Sequence, residues 1–165
     1  MAGDEESKRM DNILSHVDDA GAARMVDVST KTVVRRTARA SGFISLGPET
    51  VALIRDNQIK KGDVLTVSKI AGIMGAKQTS SLIPLCHPID IEFVDVQLKL
   101  RDDGVAIEAT ARCTDKTGIE MEALTAVSVA ALTVYDMCKA VDKSMKIGPI
   151  SLIGKTKEMI TGDPK

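Results

Sequence analysis

The sequence predicts an α+β protein, a two-layer sandwich in which helices cover one face of an antiparallel sheet. Apolar and polar residues alternate over residues 94–113, on both sides of the turn Asp102-Asp103-Gly104, which is typical of a β-hairpin. An uncharged, alanine-rich run from Ala123 to Tyr135 indicates a helix that packs closely against another surface. The order of a strand, helices, the hairpin and this helix favours the two-layer class.

The first half of the chain predicts one strand followed by two helices. β-Branched residues recur from Met25 to Leu46, which favours an extended segment. Gly47-Pro48-Glu49 then begins a short helix, because proline suits the first helical turn. Asp63 can cap a second helix that runs through Met74 and ends near Gln78, since its carboxylate accepts a free backbone N–H.

The second half predicts the hairpin, a long helix and a final apolar segment. Apolar residues before Val94 fall out of phase with the hairpin, which favours a β-bulge there. A turn at residues 115–118 leads into a helix from about Met121 to Val141. Gly148-Pro149 then breaks the chain before the apolar residues 150–153.

The chain is expected to hold one domain. Its 165 residues suit a single hydrophobic core. We expect a flexible tail over residues 1–24, a single α+β domain that carries the site over residues 25–157, and a flexible C-terminus over residues 158–165. The polar N-terminus does not resemble a signal peptide, and the run Ala123–Tyr135 is too short for a bilayer. Scattered cysteines favour a reducing compartment, so we expect a cytoplasmic protein with no membrane partner.

Composition argues against nucleic-acid binding and against a zinc site. The net charge is −1, so no overall field attracts nucleic acid. Phe43, Phe93 and Tyr135 are the only aromatic residues, too few for a base-stacking platform. The three cysteines form no CxxC pair, and His16 lies in the polar tail, so a set of zinc ligands is poorly supported. We expect no nucleic acid partner and no bound metal.

The segment Leu82–Pro88 holds His87, the one histidine outside the N-terminal tail. Two prolines bracket the histidine, and the residue before a proline is restricted to extended conformations. Two interpretations remain open. The segment alone favours a buried turn with a hydrogen-bonded histidine, whereas the acids and lysines elsewhere in the chain favour a histidine that binds a ligand.

Charged residues at two helix starts suggest binding of an anionic heterocycle. Lys60 and Lys61 precede the helix capped by Asp63, where free N–H groups favour an anion; a solvated turn fits the same pattern. Glu120 and Glu122 begin the long helix. They are either ordinary first-turn acids or carboxylates that accept hydrogen bonds from a guanine-like ring.

Asp136 and Lys139 lie three residues apart on one face of the long helix. An isolated surface pair of this kind contributes little, but its place at the edge of an apolar wall predicts pKa values that move towards neutrality for proton transfer. Asp136 lies within about 40° of Glu122 around the helix axis and roughly 20 Å further along it. One helix face could line an elongated ligand, or its two ends could serve neighbouring sites in an oligomer.

Five segments carry a resemblance to a known family, namely Met25–Ser29, Lys61–Asp63, Leu82–Pro88, Lys116–Thr125 and Ala130–Ala140. Together they resemble the molybdenum cofactor biosynthesis protein C family, the cyclic pyranopterin monophosphate synthases. The similarity covers about Met25 to Lys155, and the tail before it has no counterpart in the family. The family's glycine-rich stretch after the final lysine is replaced here by residues 156–158.

The resemblance implies a ferredoxin-like fold assembled as a homohexamer, a trimer of dimers with active sites between subunits. It implies a nucleotide-derived substrate, 3′,8-cyclo-7,8-dihydroguanosine 5′-triphosphate, which is converted to cyclic pyranopterin monophosphate with release of pyrophosphate. No resident cofactor is implied, and a Mg²⁺ ion that accompanies the triphosphate is left open.

The family's motifs also imply roles for residues of this chain. Its catalytic aspartate falls on Asp136. Its active-site lysines fall on Lys61, Lys139 and Lys155, of which we predict Lys61 and Lys139 as catalytic. Its substrate-binding motifs fall on Leu85, Cys86, His87, Met121 and Glu122. We predict Lys155, Glu120 and Arg39 as further substrate-binding residues.

The strongest alternative is a non-catalytic α+β module that binds a nucleotide for regulation. Both functions need the lysines and Glu122 to hold the ligand. Only an enzyme needs Asp136 to exchange protons.

Overall fold

The computed structural model describes residues 21–160. Within this part of the chain, five strands and four helices are found. The strands are β1 (Val34–Ser45), β2 (Ile91–Arg101), β3 (Gly104–Asp115), β4 (Lys146–Ile147) and β5 (Ser151–Glu158). The helices are α1 (Pro48–Arg55), α2 (Val64–Lys77), α3 (Thr79–Leu82) and α4 (Glu120–Cys138).

The five strands form one antiparallel sheet in the order β2-β3-β1-β4, and β5 also pairs with β1. Strand β1, the helices α1–α3, the β2–β3 hairpin, α4 and β5 follow the βαββαβ order of the ferredoxin-like motif. The predicted α+β class is therefore confirmed. The predicted bulge is also confirmed, because the register of β2 against β3 shifts between Ile91 and Phe93.

The hairpin turn depends on a glycine. Gly104 has a φ of +153°, a conformation that side chains other than hydrogen rarely allow. A Cβ at Gly104 would also collide with the carbonyl oxygen of Ile44 in β1. The turn residues 102–104 thus fix the start of β3 against both of its neighbours in the sheet.

The helices cover one face of the sheet, with α4 at the centre. Helix α4 packs on β1 and β3, and α2 lies beside it over β2. Two glycines of α2 allow this close approach, since a Cβ at Gly72 would lie 2.9 Å from the carbonyl oxygen of Ala126 and one at Gly75 would lie 2.7 Å from Val129. Fully buried residues of the core include Ile44, Val96, Val105, Ile107, Val127 and Val134.

Both predicted helix starts in the first half are confirmed. Pro48 occupies the first turn of α1. The Asp63 carboxylate caps α2, because its Oδ1 accepts a hydrogen bond from the Thr66 N–H at 3.0 Å. This cap fixes the direction in which Lys61 and the turn before α2 leave the helix.

Two predicted element boundaries are wrong. Residues 25–33 do not belong to β1, because the Asp27 side chain accepts the Ser29 N–H at 2.8 Å and Lys31 N–H bonds to Val28 at 3.1 Å. Such local bonds compete with a strand ladder. Helix α4 ends at Cys138 rather than Val141, since the Val141 N–H already turns back to Cys138.

The predicted boundaries of the domain, and the flexible tails expected on either side of it, remain predictions. Residues 1–20 of the expected N-terminal tail and residues 161–165 of the expected C-terminal one lie outside the described part of the chain. Strand β5 extends to Glu158, one residue past the predicted domain end.

By length and composition alone, α4 is apolar enough to cross a membrane, the single helix among residues 21–160 for which this holds. Its place in the core gives another reason for this apolar character. Ala123, Val127 and Val134 are fully buried against the sheet, as in the central helix of a globular domain. Its composition is therefore weak evidence for a membrane span.

Candidate functional site

A cavity of about 400 Å³ opens beside the N-terminal end of α4. Its walls come from three stretches of chain: the segment before β1, the proline-bracketed segment before β2, and the β3–α4 connection with the first turn of α4. The lining residues are Val26, Val28, Lys31, Leu85, Cys86, His87, Ile89, Thr117, Gly118, Glu120, Met121 and Glu122.

The proline-bracketed segment supplies one wall with little regular structure. A single backbone bond, from Cys86 N–H to the Ile83 carbonyl at 3.1 Å, closes a turn in it. Leu85, Cys86 and His87 are each half-buried. The cavity lining favours the ligand-binding interpretation of His87 over that of a buried core histidine. Burial raises the pKa of the Cys86 thiol, and the nearby Glu122 charge adds to this, so Cys86 is a neutral thiol at neutral pH.

Glu122 is the most unusual group in the cavity wall. It is only 2% exposed, and its Oε2 atom has no hydrogen-bond partner within residues 21–160. Burial raises the pKa of this carboxyl; a backbone N–H offsets part of the rise, and the charge of Glu120 adds to it. An unpaired buried carboxylate is costly, so Glu122 is suited to accept N–H groups from a ligand that enters the cavity.

The Glu120 side chain lies in the same cavity wall, but it already has an ion-pair partner. Its carboxylate forms an ion pair with the Lys155 ammonium on β5, because Lys155 pairs with Ala38 and so faces the helix layer. Burial acts to raise the pKa of Glu120, but the hydrogen bond from Lys155 and nearby positive charges outweigh it and lower the pKa. Glu120 is therefore an anion at neutral pH, and it fixes Lys155 at the rim of the cavity.

A second cluster lies at the other end of α4. Lys61 Nζ donates to Asp136 Oδ2 at 2.6 Å and to the Asp136 backbone carbonyl at 2.9 Å. Lys139 Nζ lies 2.6 Å from Asp136 Oδ1. The three side chains are about half exposed. A single carboxylate between two ammonium groups leaves the cluster with a net positive charge, which suits an anionic ligand.

The pKa values of this cluster move in the direction opposite to the one expected. Hydrogen bonds from Lys139 and then Lys61 lower the pKa of Asp136 to about 2. The hydrogen bond to Asp136 raises the pKa of Lys139. The predicted shift towards neutrality is wrong for the ligand-free chain, because an ion pair in which both partners are exposed stabilises both charged forms.

The two clusters do not meet within one chain. Glu122 and Asp136 are fourteen residues apart on the same helix, a separation of about 21 Å along the axis. The cavity gathers Leu85, Cys86, His87, Glu120, Met121 and Glu122, with Lys155 beside it. The second cluster gathers the three predicted catalytic residues, Asp136, Lys139 and Lys61.

Arg39 lies apart from both clusters. Its neighbours Ala38 and Ala40 are buried under the helices, so Arg39 projects from the opposite face of the sheet. There its Nε atom donates to Glu108 Oε1 at 3.0 Å. A substrate-binding role for Arg39 in this chain's own cavity is not supported.

Six cavity residues carry no role in the sequence-based assignment. Val26, Val28 and Lys31 come from the segment before β1, Ile89 follows the proline-bracketed segment, and Thr117 and Gly118 come from the turn before α4. Val26, Val28, Thr117 and Gly118 lie in segments that resemble the family. Periodicity, however, treats the segment before β1 as a strand and the turn before α4 as an ordinary turn. Their proximity depends on long-range packing, which local patterns do not encode.

No group of three or more His, Cys, Asp or Glu side chains within residues 21–160 is arranged to hold a metal ion. The metal-ligand atoms that the cavity offers belong to the ion-paired Glu120, the unpaired Glu122, the Cys86 thiol and His87. The absence of a resident metal stays a prediction.

Comparison with known proteins gives a consistent picture. A model of the MoaC family matches residues 25–158. A cyclic pyranopterin monophosphate synthase of Streptomyces coelicolor is 59% identical over 143 residues, which cover 87% of this chain and 84% of that protein. A protein of the same name from Peptoclostridium acidaminophilum is 57% identical over 142 residues, which cover 86% of this chain and 90% of that protein.

A molybdenum cofactor biosynthesis bifunctional protein of Chlorobaculum tepidum is also similar, with 55% identity over 86% of this chain and 46% of that protein. The region matched by the family model includes all the cavity residues and the whole Lys61–Asp136–Lys139 cluster. The chain therefore belongs to the MoaC family.

Proposed function

We propose that this protein is a cyclic pyranopterin monophosphate synthase, a lyase of molybdenum cofactor biosynthesis. Its substrate is 3′,8-cyclo-7,8-dihydroguanosine 5′-triphosphate, and its products are cyclic pyranopterin monophosphate and pyrophosphate. The observation that carries the proposal is the pairing of two features. One is a buried, unpaired carboxylate in a cavity, and the other is an aspartate held between two lysines.

Glu122 is proposed to recognise the heterocycle. A guanine-derived ring presents an amino group and an adjacent ring N–H on one edge, and a carboxylate can accept both. The Oε2 atom is already desolvated and unpaired, so binding a donor removes a cost that the free protein carries. Half-buried Leu85 and Cys86, with His87, line the same cavity and would restrict the ring's orientation.

The Lys61–Asp136–Lys139 cluster is proposed to move protons during the rearrangement of the ring. With a pKa of about 2, the Asp136 carboxylate is a weak base while both lysines hold it. An anionic group of the substrate that draws one lysine away would raise the proton affinity of Asp136 and make it a base. The same lysines then stabilise the charge of the departing pyrophosphate.

A homohexamer with sites between subunits is part of the proposal. One chain places Glu122 and Asp136 about 21 Å apart, and the exposed apolar residues Ile70, Met74 and Leu132 lie on its helix layer at 54%, 61% and 59% exposure. A second chain that covers this face could bring its own Asp136 cluster to the first chain's cavity. Arg39, which points away from both clusters, would then be available to a neighbouring chain.

We propose a cytoplasmic protein with no nucleic acid partner and no membrane partner. We propose that the protein holds no resident cofactor and that any Mg²⁺ ion enters with the triphosphate, because three phosphates are themselves good ligands for that ion.

The decisive experiment measures pyrophosphate release from the cyclised GTP derivative, with GTP itself as the control nucleotide. Stoichiometric pyrophosphate and cyclic pyranopterin monophosphate are expected from the derivative alone. Tight binding of the derivative without any turnover would instead support the regulatory module.

A further inference from the structure

We propose that Lys116 is a positioning residue that holds the wall formed by residues 26–31 against the cavity. The inference rests on the proposed function, because it concerns how that same cavity binds its substrate. Lys116 does not line the cavity among the described residues, and it therefore acts through the wall.

The wall is a stretch with no strand or helix of its own. Val26, Val28 and Lys31 face the cavity, yet residues 25–33 lie outside β1. Two of its hydrogen bonds are internal, from Ser29 N–H to Asp27 Oδ1 at 2.8 Å and from Lys31 N–H to the Val28 carbonyl at 3.1 Å. These bonds shape the segment but do not attach it to the opposite side of the cavity.

Lys116 makes that attachment. Its Nζ atom donates to the Ser29 carbonyl at 2.8 Å, across 87 residues of sequence. Ser29 lies between Val28 and Lys31, so the bond is made at the part of the wall that faces the cavity. The bond is charge-assisted, and such bonds are stronger than those between neutral groups.

The position of Lys116 is itself fixed from the core. Arg36 of β1 is 9% exposed. Its Nε atom donates to the Asp115 carbonyl at 3.0 Å and its Nη2 atom to the Lys116 carbonyl at 2.8 Å. One guanidinium thus holds the two backbone carbonyls at the end of β3. Hydrogen bonds thus lead from Arg36 in the sheet to Lys116, and from Lys116 to Ser29 in the cavity wall.

The consequence is a specific kinetic signature. If Lys116 only orders the wall, its loss weakens substrate capture, because the substrate must then order residues 26–31 as it binds. Once the substrate is bound, the wall is in place and the chemical step proceeds at its usual rate. A ground-state binding loss of this kind raises KM and leaves kcat nearly unchanged.

The test compares Lys116→Met, which keeps the apolar stem and removes the ammonium, with Lys116→Arg, which restores a donor. Lys69→Met is the matched control, since Lys69 also makes one charge-assisted contact, to Asp95 Oδ1 at 2.9 Å, away from the cavity residues. We expect Lys116→Met to raise KM about tenfold with kcat within about twofold. Lys116→Arg should recover most of the loss, and Lys69→Met should change neither constant.

A second measurement needs no turnover. Trypsin cleavage after Lys31 and hydrogen exchange of residues 26–31 should both be several-fold faster in Lys116→Met than in the wild type and in Lys69→Met. The melting temperature should stay within about two degrees of the wild-type value. If the wild type releases no pyrophosphate, the proposed function fails, and the cleavage rates still decide whether Lys116 holds the wall.

Two results would overturn the positioning role. Unchanged cleavage and exchange in Lys116→Met would show that the wall does not depend on this bond. A fall in kcat with KM and cleavage unchanged would show that Lys116 acts on the reacting atoms instead.

Discussion

The carboxylates at the two ends of α4 lie in opposite environments, and their pKa values shift in opposite directions. Glu122 is buried without a hydrogen-bond partner on Oε2 among the described residues, and its pKa is raised. Asp136 is half exposed between two ammonium groups, and its pKa falls to about 2. A desolvated acceptor suits recognition of N–H donors, whereas an ion-paired carboxylate becomes reactive only when its partners are displaced.

Replacing Asp136 by Asn tests its role in proton transfer. The variant keeps the size of the side chain and removes its charge and its basicity. We expect kcat to fall by a factor on the order of hundreds or more, with substrate affinity little changed. Lys139→Arg should resemble it, since arginine keeps the charge but does not release a proton near neutrality. Steady-state kinetics and direct binding measure both; a fully active Lys139→Arg would move the proton-transfer role to Lys61 or Lys155.

Glu122→Gln is expected to change stability only at higher pH and to weaken substrate binding at every pH. The folded-state pKa of Glu122 is raised above its ordinary value of 4.5, so the folded protein holds this proton more tightly than the unfolded chain. Stability from this group is therefore present at low pH and is lost as pH rises from about 4.5 through the raised value.

The amide of Glu122→Gln does not ionise, so the variant does not lose stability as pH rises in the way that the buried carboxyl does. We expect its melting temperature to match the wild type at about pH 4 and to exceed it at about pH 8, while substrate affinity falls at both. Thermal melts across pH and a binding titration give the answer. An equal difference in melting temperature at both pH values would mean that Glu122 is not desolvated in the folded protein.

At the scale of elements, the contact between α2 and α4 depends on glycine. A Cβ at Gly72 would press on the backbone carbonyl of Ala126, and one at Gly75 on the side chain of Val129. Backbone has little room to move, whereas a side chain can be shortened. A clash at Gly75 can therefore be relieved by shortening Val129, whereas a clash with backbone at Gly72 has no such second substitution.

We expect Gly72→Ala to lower the free energy of unfolding by about 1–2 kcal/mol, because overpacking outweighs the gain in helix propensity of about 1 kcal/mol. Gly75→Ala should also destabilise, and adding Val129→Ala should recover part of that loss. Urea unfolding of the single and double variants measures these values. A more stable Gly72→Ala protein would show that the two helices can separate without cost.

Helix and hairpin positions followed from local patterns, but the site did not. Asp63 caps α2 and Gly104 turns the hairpin for reasons contained in a few neighbouring residues. The failure at residues 25–33 has a local cause too, since the Asp27–Ser29 turn overrides β-branched propensity. Lys31, Thr117 and Glu122 meet only because the sheet brings distant segments together. Their grouping needed the fold, and so did the contact between Lys61 and Asp136, which adds to the effect of Lys139 on the Asp136 pKa.

At the scale of the whole molecule, assembly is the main prediction. Sedimentation should give a particle of six chains, each of 17.6 kDa. Co-expression of Asp136→Asn with Glu122→Gln, assayed at a substrate concentration low enough that each parent is nearly inactive, tests whether sites are shared. If each site takes Glu122 from one chain and Asp136 from another, random mixing restores about a quarter of wild-type activity. Mixed particles as inactive as the two parents would place both residues of a site in the same chain.

One continuous helix carries Glu122 at its first turn and Asp136 at its last, and this makes α4 a spacer of fixed length and phase. A single residue inserted midway would advance everything after it by about 1.5 Å and rotate it by about 100°. Asp136 and Lys139 would then face the sheet or open solvent instead of Lys61. The middle of α4 should thus tolerate exchange of one small apolar residue for another, yet admit no change in length. That restriction comes from geometry, at positions that touch neither the cavity nor the lysine cluster.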